Sequence, residues 1–320
     1  MVNYQNKSEG GFMNNILTIR NISKKYKRNI VLNKVNMTIN KGDIYGFVGE
    51  NGSGKTTIIR VITGLIFPYE GEIELFGVSS KDPKILNMRK KIGAIVENPS
   101  IYANMSARDN LITQSTILNI NSEEKIKEVL SYVGLDYLYN DKKHAGDFSL
   151  GMRQRLGIAM ALLSDPEFII LDEPMNGLDP AGIVEIRELI IKLNKEKNIT
   201  FLISSHILSE LSLIATKYGI ISKGHIIKEI SNDELIKECR KYIHLISSDN
   251  IKLFQSLSSN PLYNDVEPWQ NGVRLFGDHN LNELFDFFNK ENIEITSIKT
   301  VVTGIEEYYL SLISGGKYHA

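Results

Sequence analysis

A glycine-rich stretch of this chain has the residue types of a phosphate-binding loop. It fits the pattern G-x-x-x-x-G-K-[ST], follows the apolar run 44–48 and precedes the helix-forming segment 57–62. Glycines let successive backbone N–H groups and a helix N-terminus approach an anion, the lysine adds a positive charge, and the threonine hydroxyl can ligate Mg²⁺. The pattern therefore predicts a nucleoside triphosphate site formed by Gly49, Glu50, Asn51, Gly52, Ser53, Gly54, Lys55, Thr56 and Thr57.

A pair of acids after a second buried strand supplies what such a loop needs for its metal. The apolar run 168–171 is typical of a strand buried on both faces of a parallel sheet, and Asp172 and Glu173 follow it directly. We expect Asp172 to hold Mg²⁺ together with Thr56, and Glu173 to orient, or take a proton from, a water that attacks the terminal phosphate.

Four further motifs occur in a fixed order around these two. Tyr26 lies between two predicted antiparallel strands, a Phe-Ser-Leu-Gly-Met-Arg-Gln-Arg segment spans 148–155, an Asn-Gly-Leu-Asp-Pro loop spans 176–180, and Ser-Ser-His ends at His206. Ser149 and Gly151 come at a predicted helix start, where a hydroxyl, backbone N–H groups and the helix dipole suit a phosphate.

In this order of motifs, residues 16–231 resemble the ATP-binding subunit of an ABC transporter. The resemblance implies that Tyr26 stacks on adenine, that His206 contacts the γ-phosphate, and that Asp179 lies in a loop crossing to a second subunit. It also implies two copies of the fold with two ATP molecules between them. In that arrangement the ATP bound on one subunit is contacted by the other subunit's Ser149, Gly151, Arg153 and Gln154.

Glu97 follows a short predicted strand, residues 92–96, at a position where most members of this family have glutamine. It keeps an oxygen for Mg²⁺ but adds a negative charge near Asp172, Glu173 and the phosphates. With this glutamate and the Ser-Leu-Gly-Met segment, the chain resembles the bacitracin and lantibiotic resistance or immunity group of these transporters. The resemblance then implies a motor for export of antimicrobial peptides, with ATP and Mg²⁺ as cofactors.

Length and the order of predicted elements indicate two domains. The chain has 320 residues, more than a usual single domain. Alternating strands and helices in 13–231 predict an α/β fold. The resemblance implies that this fold is of the P-loop type, with a mixed sheet and a helical subdomain that carries the 148–155 segment. Residues 232–320 predict a small α+β domain without a recognisable site, whose Trp269 we expect in the core.

Charge, cysteine and hydropathy narrow the setting. Acidic and basic residues number 38 and 37, which does not indicate a nucleic-acid partner. The single cysteine, Cys239, has no internal partner for a disulfide. No apolar run approaches the roughly 20 residues that span a bilayer. We therefore expect a soluble chain. The resemblance implies that it lies on the cytoplasmic face of the membrane, works with a separate transmembrane permease and pairs with a second ATP-binding subunit, which we expect to be another copy of itself.

The first twelve residues, polar and ending in glycines, are unlike the start of a fold. We expect 1–12 to be a non-native or disordered extension, with translation starting at Met13.

Three alternatives remain open from the sequence. The chain could drive efflux of another cargo, or it could be a regulatory ATP-binding module that does not transport. A third class, the soluble ABC ATPases of translation or DNA repair, typically has two cassettes in one chain, or a coiled-coil or zinc insertion, and none of these occurs here. Glu173 and His206 together favour an active ATPase over the inert module.

Overall fold

The computed structural model describes residues 15–120, 122–301 and 304–313. The chain forms two compact units, of which the first ends at Ser231 and the second begins at Asn232. The predicted extension 1–12 and the predicted start at Met13 lie outside the described residues.

The strands in the described residues belong to three sheets, two in the first unit and one in the second. In chain order they are β1 (Asn15–Tyr26), β2 (Asn29–Asn40), β3 (Ile44–Val48), β4 (Glu70–Leu75), β5 (Val78–Ser79), β6 (Ile92–Ile95), β7 (Phe168–Asp172), β8 (Thr200–Ser205), β9 (Lys217–Ser222), β10 (His225–Ser231), β11 (Tyr242–Ser247), β12 (Val266–Trp269), β13 (Gly272–Phe276) and β14 (Ile295–Val301).

The helices separate these strands along most of the chain. They are α1 (Lys55–Thr63), α2 (Ile85–Arg89), α3 (Ala107–Ile117), α4 (Glu123–Tyr132), α5 (Leu150–Leu162), α6 (Pro180–Lys197), α7 (Leu208–Ser212), α8 (Asn232–Glu238), α9 (Asn250–Ser258), α10 (Leu281–Lys290) and α11 (Ile305–Ile313).

The larger sheet of the first unit explains where the site forms. Its order is β10-β9-β3-β8-β7-β6, and β3, β6, β7, β8 and β9 run parallel. Every residue of β3, β7 and β8 is buried, as expected for parallel strands covered on both faces. Parallel strands end at one edge of the sheet, so the loops after β3, β7 and β8 meet there. The α/β fold class predicted from the sequence is confirmed.

The second sheet of this unit is antiparallel, with the order β2-β1-β4-β5. Its alternating strands turn one face to a core that β3 and α1 share, including Leu17, Ile39, Phe47 and Ile58. The helices α3, α4 and α5 pack against one another between β6 and β7 in the chain and form the helical part of the unit. α1 itself packs against β7 and β2.

The second unit has an antiparallel sheet in the order β12-β13-β11-β14. Its core joins side chains of β11 and β13 to α9 and α10, among them Leu245, Leu253, Leu275 and Phe288. Cys239 is half-buried, and burial, with smaller contributions from the charges of Glu238 and Glu306, raises the pKa of its thiol to about 11. The thiol is therefore protonated at neutral pH and is not a ready nucleophile.

Two features of the second unit could not be read from the sequence. β12 contains Pro268 and is an edge strand, where a proline is tolerated. Trp269, which the sequence analysis expects in the core, is 37% exposed. Its ring stacks on the guanidinium of Arg274 at 3.7 Å, a cation–π contact that is satisfied at the surface of the sheet.

Candidate nucleotide site

The loop between β3 and α1 requires glycine at two positions. Gly54, the N-cap of α1, has φ +113°, a left-handed conformation that side chains disfavour, and a Cβ there would lie 2.7 Å from Leu32 Cδ2. A Cβ on Gly49 would lie 2.5 Å from the carbonyl oxygen of Ile221. The loop therefore carries no side chain at Gly49 and Gly54, and its backbone N–H groups and the N-terminus of α1 stay accessible to an anion.

The other loop residues divide into an exposed tip and a buried base. Glu50, Asn51 and Gly52 are exposed, whereas Ser53 is 4% exposed and its backbone carbonyl accepts a hydrogen bond from the N–H of Gly224. Thr57 is half-buried in the first turn of α1. The base of the loop is thus anchored to the chain between β9 and β10, and its tip is open to a ligand.

Lys55 is a buried cation held by the loop itself. Its side chain is nearly enclosed, and Nζ donates to the carbonyl oxygens of Gly49 at 2.6 Å and Glu50 at 3.3 Å. Nζ also lies 3.1 Å from Oε1 of Glu173, at the end of β7. Because a buried charge is costly unless it is paired, this contact ties the glutamate to the loop.

Asp172 is 2% exposed, and each of its carboxylate oxygens accepts one hydroxyl hydrogen bond. Thr56 Oγ1 donates to Oδ2 at 2.8 Å, and Ser204 Oγ donates to Oδ1 at 2.5 Å. Asp172 and Ser204 are register partners on β7 and β8, which places their side chains together. The sheet therefore brings the threonine of the loop and the predicted metal carboxylate into contact.

Glu173 leaves the strand in the left-handed region, with φ 50°. Its N–H donates to Ser204 Oγ at 2.9 Å, and its Oε2 lies 2.8 Å from Nδ1 of His206. A non-glycine residue in this conformation stores strain that the surrounding contacts must offset. Ser204, Lys55 and His206 supply those contacts and fix where the carboxylate points.

Tyr26 stands at the end of β1 with its ring 45% exposed. Lys24 Nζ lies 5.3 Å from the ring centroid. An exposed aromatic ring can stack on a flat base, so the structure leaves the ring free for the predicted adenine contact, which stays a prediction.

The start of α5 is arranged by its own residues. Ser149 caps the helix and its Oγ accepts from the N–H of Met152 at 3.2 Å, while the Arg153 guanidinium donates to the carbonyl of Phe148. A Cβ on Gly151 would meet nothing nearer than 3.9 Å. Gln154 is 6% exposed and points into the unit. The helix start is open around Gly151, and the predicted contact with ATP of a second subunit stays a prediction.

Asp179 is exposed and caps α6, accepting a hydrogen bond from the N–H of Gly182 at 2.9 Å. This bond satisfies one of the unpaired N–H groups at the helix start. The predicted role of Asp179 at a contact with a second subunit stays a prediction.

Glu97 follows β6 with φ 66° and is directed to a different partner from the one expected. Its Oε1 accepts a hydrogen bond from the Arg60 guanidinium at 2.6 Å, and its side chain is 61% exposed. The structure therefore brings Thr56, Asp172, Glu173, Lys55 and His206 together in one cluster and places the Glu97 carboxylate on α1. Its role as a metal ligand stays a prediction.

Sequence reasoning missed two residues of this region, Ser204 and Arg60. Ser204 is fully buried and bonds both Asp172 and the backbone of Glu173. Aligning the ends of two predicted parallel strands could have found it, since it precedes His206 by two residues. Arg60 lies one helical turn after Thr56 on α1, and that i,i+4 spacing could have pointed to it.

Comparisons with known proteins agree with this geometry. Residues 32–176 match the family model described as ABC transporter. The chain is 43% identical over 307 residues to the bacitracin transport ATP-binding protein BcrA of Bacillus licheniformis, covering 95% of this chain and 99% of that one. It is 44% identical over 225 residues to the lantibiotic transport ATP-binding protein SrtF of Streptococcus pyogenes, covering 70% and 95%.

Among solved structures, the dimeric structure of MJ0796, a bacterial ABC transporter cassette, superposes with a TM-score of 0.60 at 25% identity. The match covers 68% of this chain and 98% of that one. With the phosphate loop, the acidic strand end and the histidine in one cluster, these similarities settle the family. The chain belongs to the ABC transporter ATP-binding proteins and is a nucleotide-binding ATPase subunit.

Proposed function

We propose that this chain is the motor subunit of a transporter that exports, or confers resistance or immunity to, antimicrobial peptides such as bacitracin or lantibiotics. The observation that carries the proposal is the similarity to the bacitracin transport protein over nearly the whole of both chains. That match extends through the second unit. The lantibiotic transport protein is shorter and matches 70% of this chain. Peptide export is therefore preferred over efflux of another cargo.

The residues present fit Mg²⁺ bound with ATP. Mg²⁺ takes hard oxygen ligands, commonly one or two from protein together with phosphate and water. Thr56 Oγ1 and the Asp172 carboxylate already meet at 2.8 Å. No group of three or more His, Cys, Asp or Glu side chains within the described ranges could hold a metal by itself. Thr56 and Asp172 would hold Mg²⁺, which when bound offsets phosphate charge.

In the proposed reaction, each residue of the cluster has a separate task. Lys55 and the loop N–H groups bind the phosphates, and Tyr26 stacks on the adenine. Glu173 orients the attacking water and accepts its proton. Its carboxylate lies beside Lys55, and therefore close to where the terminal phosphate would be held. His206, hydrogen-bonded to Glu173, keeps that carboxylate in place and contacts the γ-phosphate.

A second subunit completes the proposed site. Two copies of the chain would bind two ATP molecules between them, with Ser149, Gly151 and Arg153 of one copy meeting the phosphates held by the other. Gln154 is buried and would support this helix start from within its own unit. The loop of Asp179 would lie across the same contact. The dimeric cassette of similar fold supports this arrangement, and the open surroundings of Gly151 leave room for a phosphate.

The remaining partner would be a separate membrane-spanning permease, with this chain on the cytoplasmic face of the membrane. Within the part of the chain that the structure describes, no helix is both long and apolar enough to cross a bilayer.

Expression in a bacitracin-susceptible bacterium, together with the membrane-spanning permease proposed above, tests the function. We expect a higher inhibitory concentration of bacitracin or of a lantibiotic, and loss of that protection in Lys55→Ala, which removes the phosphate-binding cation. If the wild-type chain hydrolyses ATP but protects against neither bacitracin nor a lantibiotic, it is a motor for another cargo. Protection that survives Lys55→Ala would contradict the motor role.

Glu97→Gln should keep ATP hydrolysis and raise the Mg²⁺ concentration needed for half-maximal rate, because it removes a negative charge near the metal. Glu97 is largely exposed, so solvent screens the effect and we expect a shift of roughly twofold to fivefold. The coupling of hydrolysis to peptide protection should also change. Titration of the rate with Mg²⁺, beside the protection assay, measures both; identical metal dependence and identical protection would remove any special role for Glu97.

A further inference from the structure

The Arg60–Glu97 pair joins the phosphate-loop helix to the chain after β6. Arg60 donates to Glu97 Oε1 at 2.6 Å, and its side chain is 39% exposed. Thr56 and Arg60 are four residues apart on α1 and therefore lie one above the other on one face of the helix. The arginine thus reaches Glu97 from the same helical face that carries the threonine hydroxyl.

Strand register places Glu97 beside the two acids of the site. β6 pairs parallel with β7, and Ile95 is the register partner of Leu171. Asp172 and Glu173 follow Leu171 as Glu97 follows Ile95, so all three acids leave the same edge of the sheet on neighbouring strands, which lie about 4.8 Å apart. The left-handed φ of Glu97 then turns its side chain to α1.

Each acid at this edge has its own partners. Asp172 receives two hydroxyl hydrogen bonds, from Thr56 and Ser204. Glu173 is paired with Lys55 and His206. Glu97 is paired with Arg60. Lys55 and His206 contact Glu173, and the two hydroxyls contact Asp172. Arg60 is therefore the cation at this edge that offsets the charge of Glu97.

We propose that Arg60 is a positioning residue that holds the Glu97 carboxylate on α1 and so limits the negative charge that Glu97 presents to the metal held by Thr56 and Asp172. Arg60 acts through Glu97 and needs no contact with the nucleotide. The inference rests on the metal site proposed above.

A double-mutant cycle on the full chain tests it, with Mn²⁺ as the probe in place of Mg²⁺. Electron paramagnetic resonance measures free Mn²⁺, and hence its dissociation constant, in the presence of a non-hydrolysable ATP analogue. We expect Arg60→Ala to tighten Mn²⁺ binding about threefold to tenfold, the size of coupling between groups in contact. In the Glu97→Gln background the same substitution should leave the dissociation constant nearly unchanged. Arg60→Lys, which keeps a cation, should stay near the wild type.

Other results would overturn the inference in distinguishable ways. An equal shift in both backgrounds would mean that Arg60 acts on the metal without Glu97, and no shift in the wild-type background would mean that it does not act at all. Asp172→Asn should weaken Mn²⁺ binding in every background. Full binding by Asp172→Asn would overturn the proposed metal site itself, and the role of Arg60 with it.

Discussion

Replacing Glu173 with glutamine is expected to lower the rate of ATP hydrolysis by about two orders of magnitude or more while ATP binding is kept. A positioned general base typically contributes a factor of roughly 10²–10⁴ to rate. Glutamine has the same shape and can keep a hydrogen bond to Nδ1 of His206. It cannot take a proton from water, and it loses the ion pair with Lys55. Bound ATP should therefore persist and hold two subunits together.

Phosphate release and size-exclusion chromatography with and without ATP measure the two halves of this prediction. Glu185→Gln is a matched control, because Glu185 is an exposed glutamate of the same unit whose ion pair is with Arg155. The control should hydrolyse ATP at the wild-type rate and show no added dimer. Equal hydrolysis by Glu173→Gln and the wild type would remove Glu173 from the reaction and leave the proposed catalytic assignment without its base.

Much of the site could be predicted because its conformation depends on local chemistry. Gly54 must adopt a left-handed φ, and Gly49 lies against a backbone carbonyl, so the glycines of the loop are visible in the sequence as a spacing. The continuous apolar runs before Gly49 and Asp172 predict parallel strands, which end at one edge. These facts bring Thr56, Asp172 and Glu173 together without knowledge of side-chain positions.

Side-chain partners across elements were harder to predict. The contact of Ser204 with Asp172 depends on the register of β7 against β8, which the sequence does not state. The direction of Glu97 depends on its positive φ and on an arginine 37 residues earlier in the chain. Local sequence patterns carry no information about either of these two contacts, Ser204 with Asp172 and Arg60 with Glu97. The metal role expected of Glu97 comes from the family pattern at this position and from the oxygen that glutamate keeps for Mg²⁺, and Arg60 competes for that carboxylate.

The second unit shows a different limit of sequence reasoning. Alternation and helical periodicity in its sequence predict an α+β class, which the strands and helices of the unit match. Trp269 was expected in a core because of its size, whereas Arg274 covers one face of its ring at the surface of the sheet. A large aromatic side chain is satisfied by a cation as well as by apolar neighbours, and the sequence does not show which of these it meets.

Ser204→Ala is expected to lower the rate constant of hydrolysis about tenfold to a hundredfold, the usual cost of removing a group that orients a functional side chain. Its hydroxyl donates to Asp172 and accepts from the N–H of Glu173. Alanine leaves one carboxylate oxygen of a buried aspartate and one strained backbone N–H without this partner. The loss should also cost about 1–3 kcal/mol of unfolding free energy.

Stability and turnover must be separated for the test to identify a positioning role. Ser115→Ala is the matched control, because Ser115 is a buried serine of the same unit whose hydroxyl donates to the carbonyl of Ile120, away from the site. Both variants should unfold at lower urea concentration, but only Ser204→Ala should lose turnover. A parallel loss of stability with unchanged turnover would make Ser204 a structural residue. The predicted split follows because, of these two serines, only Ser204 links the proposed metal carboxylate to the backbone of the proposed base.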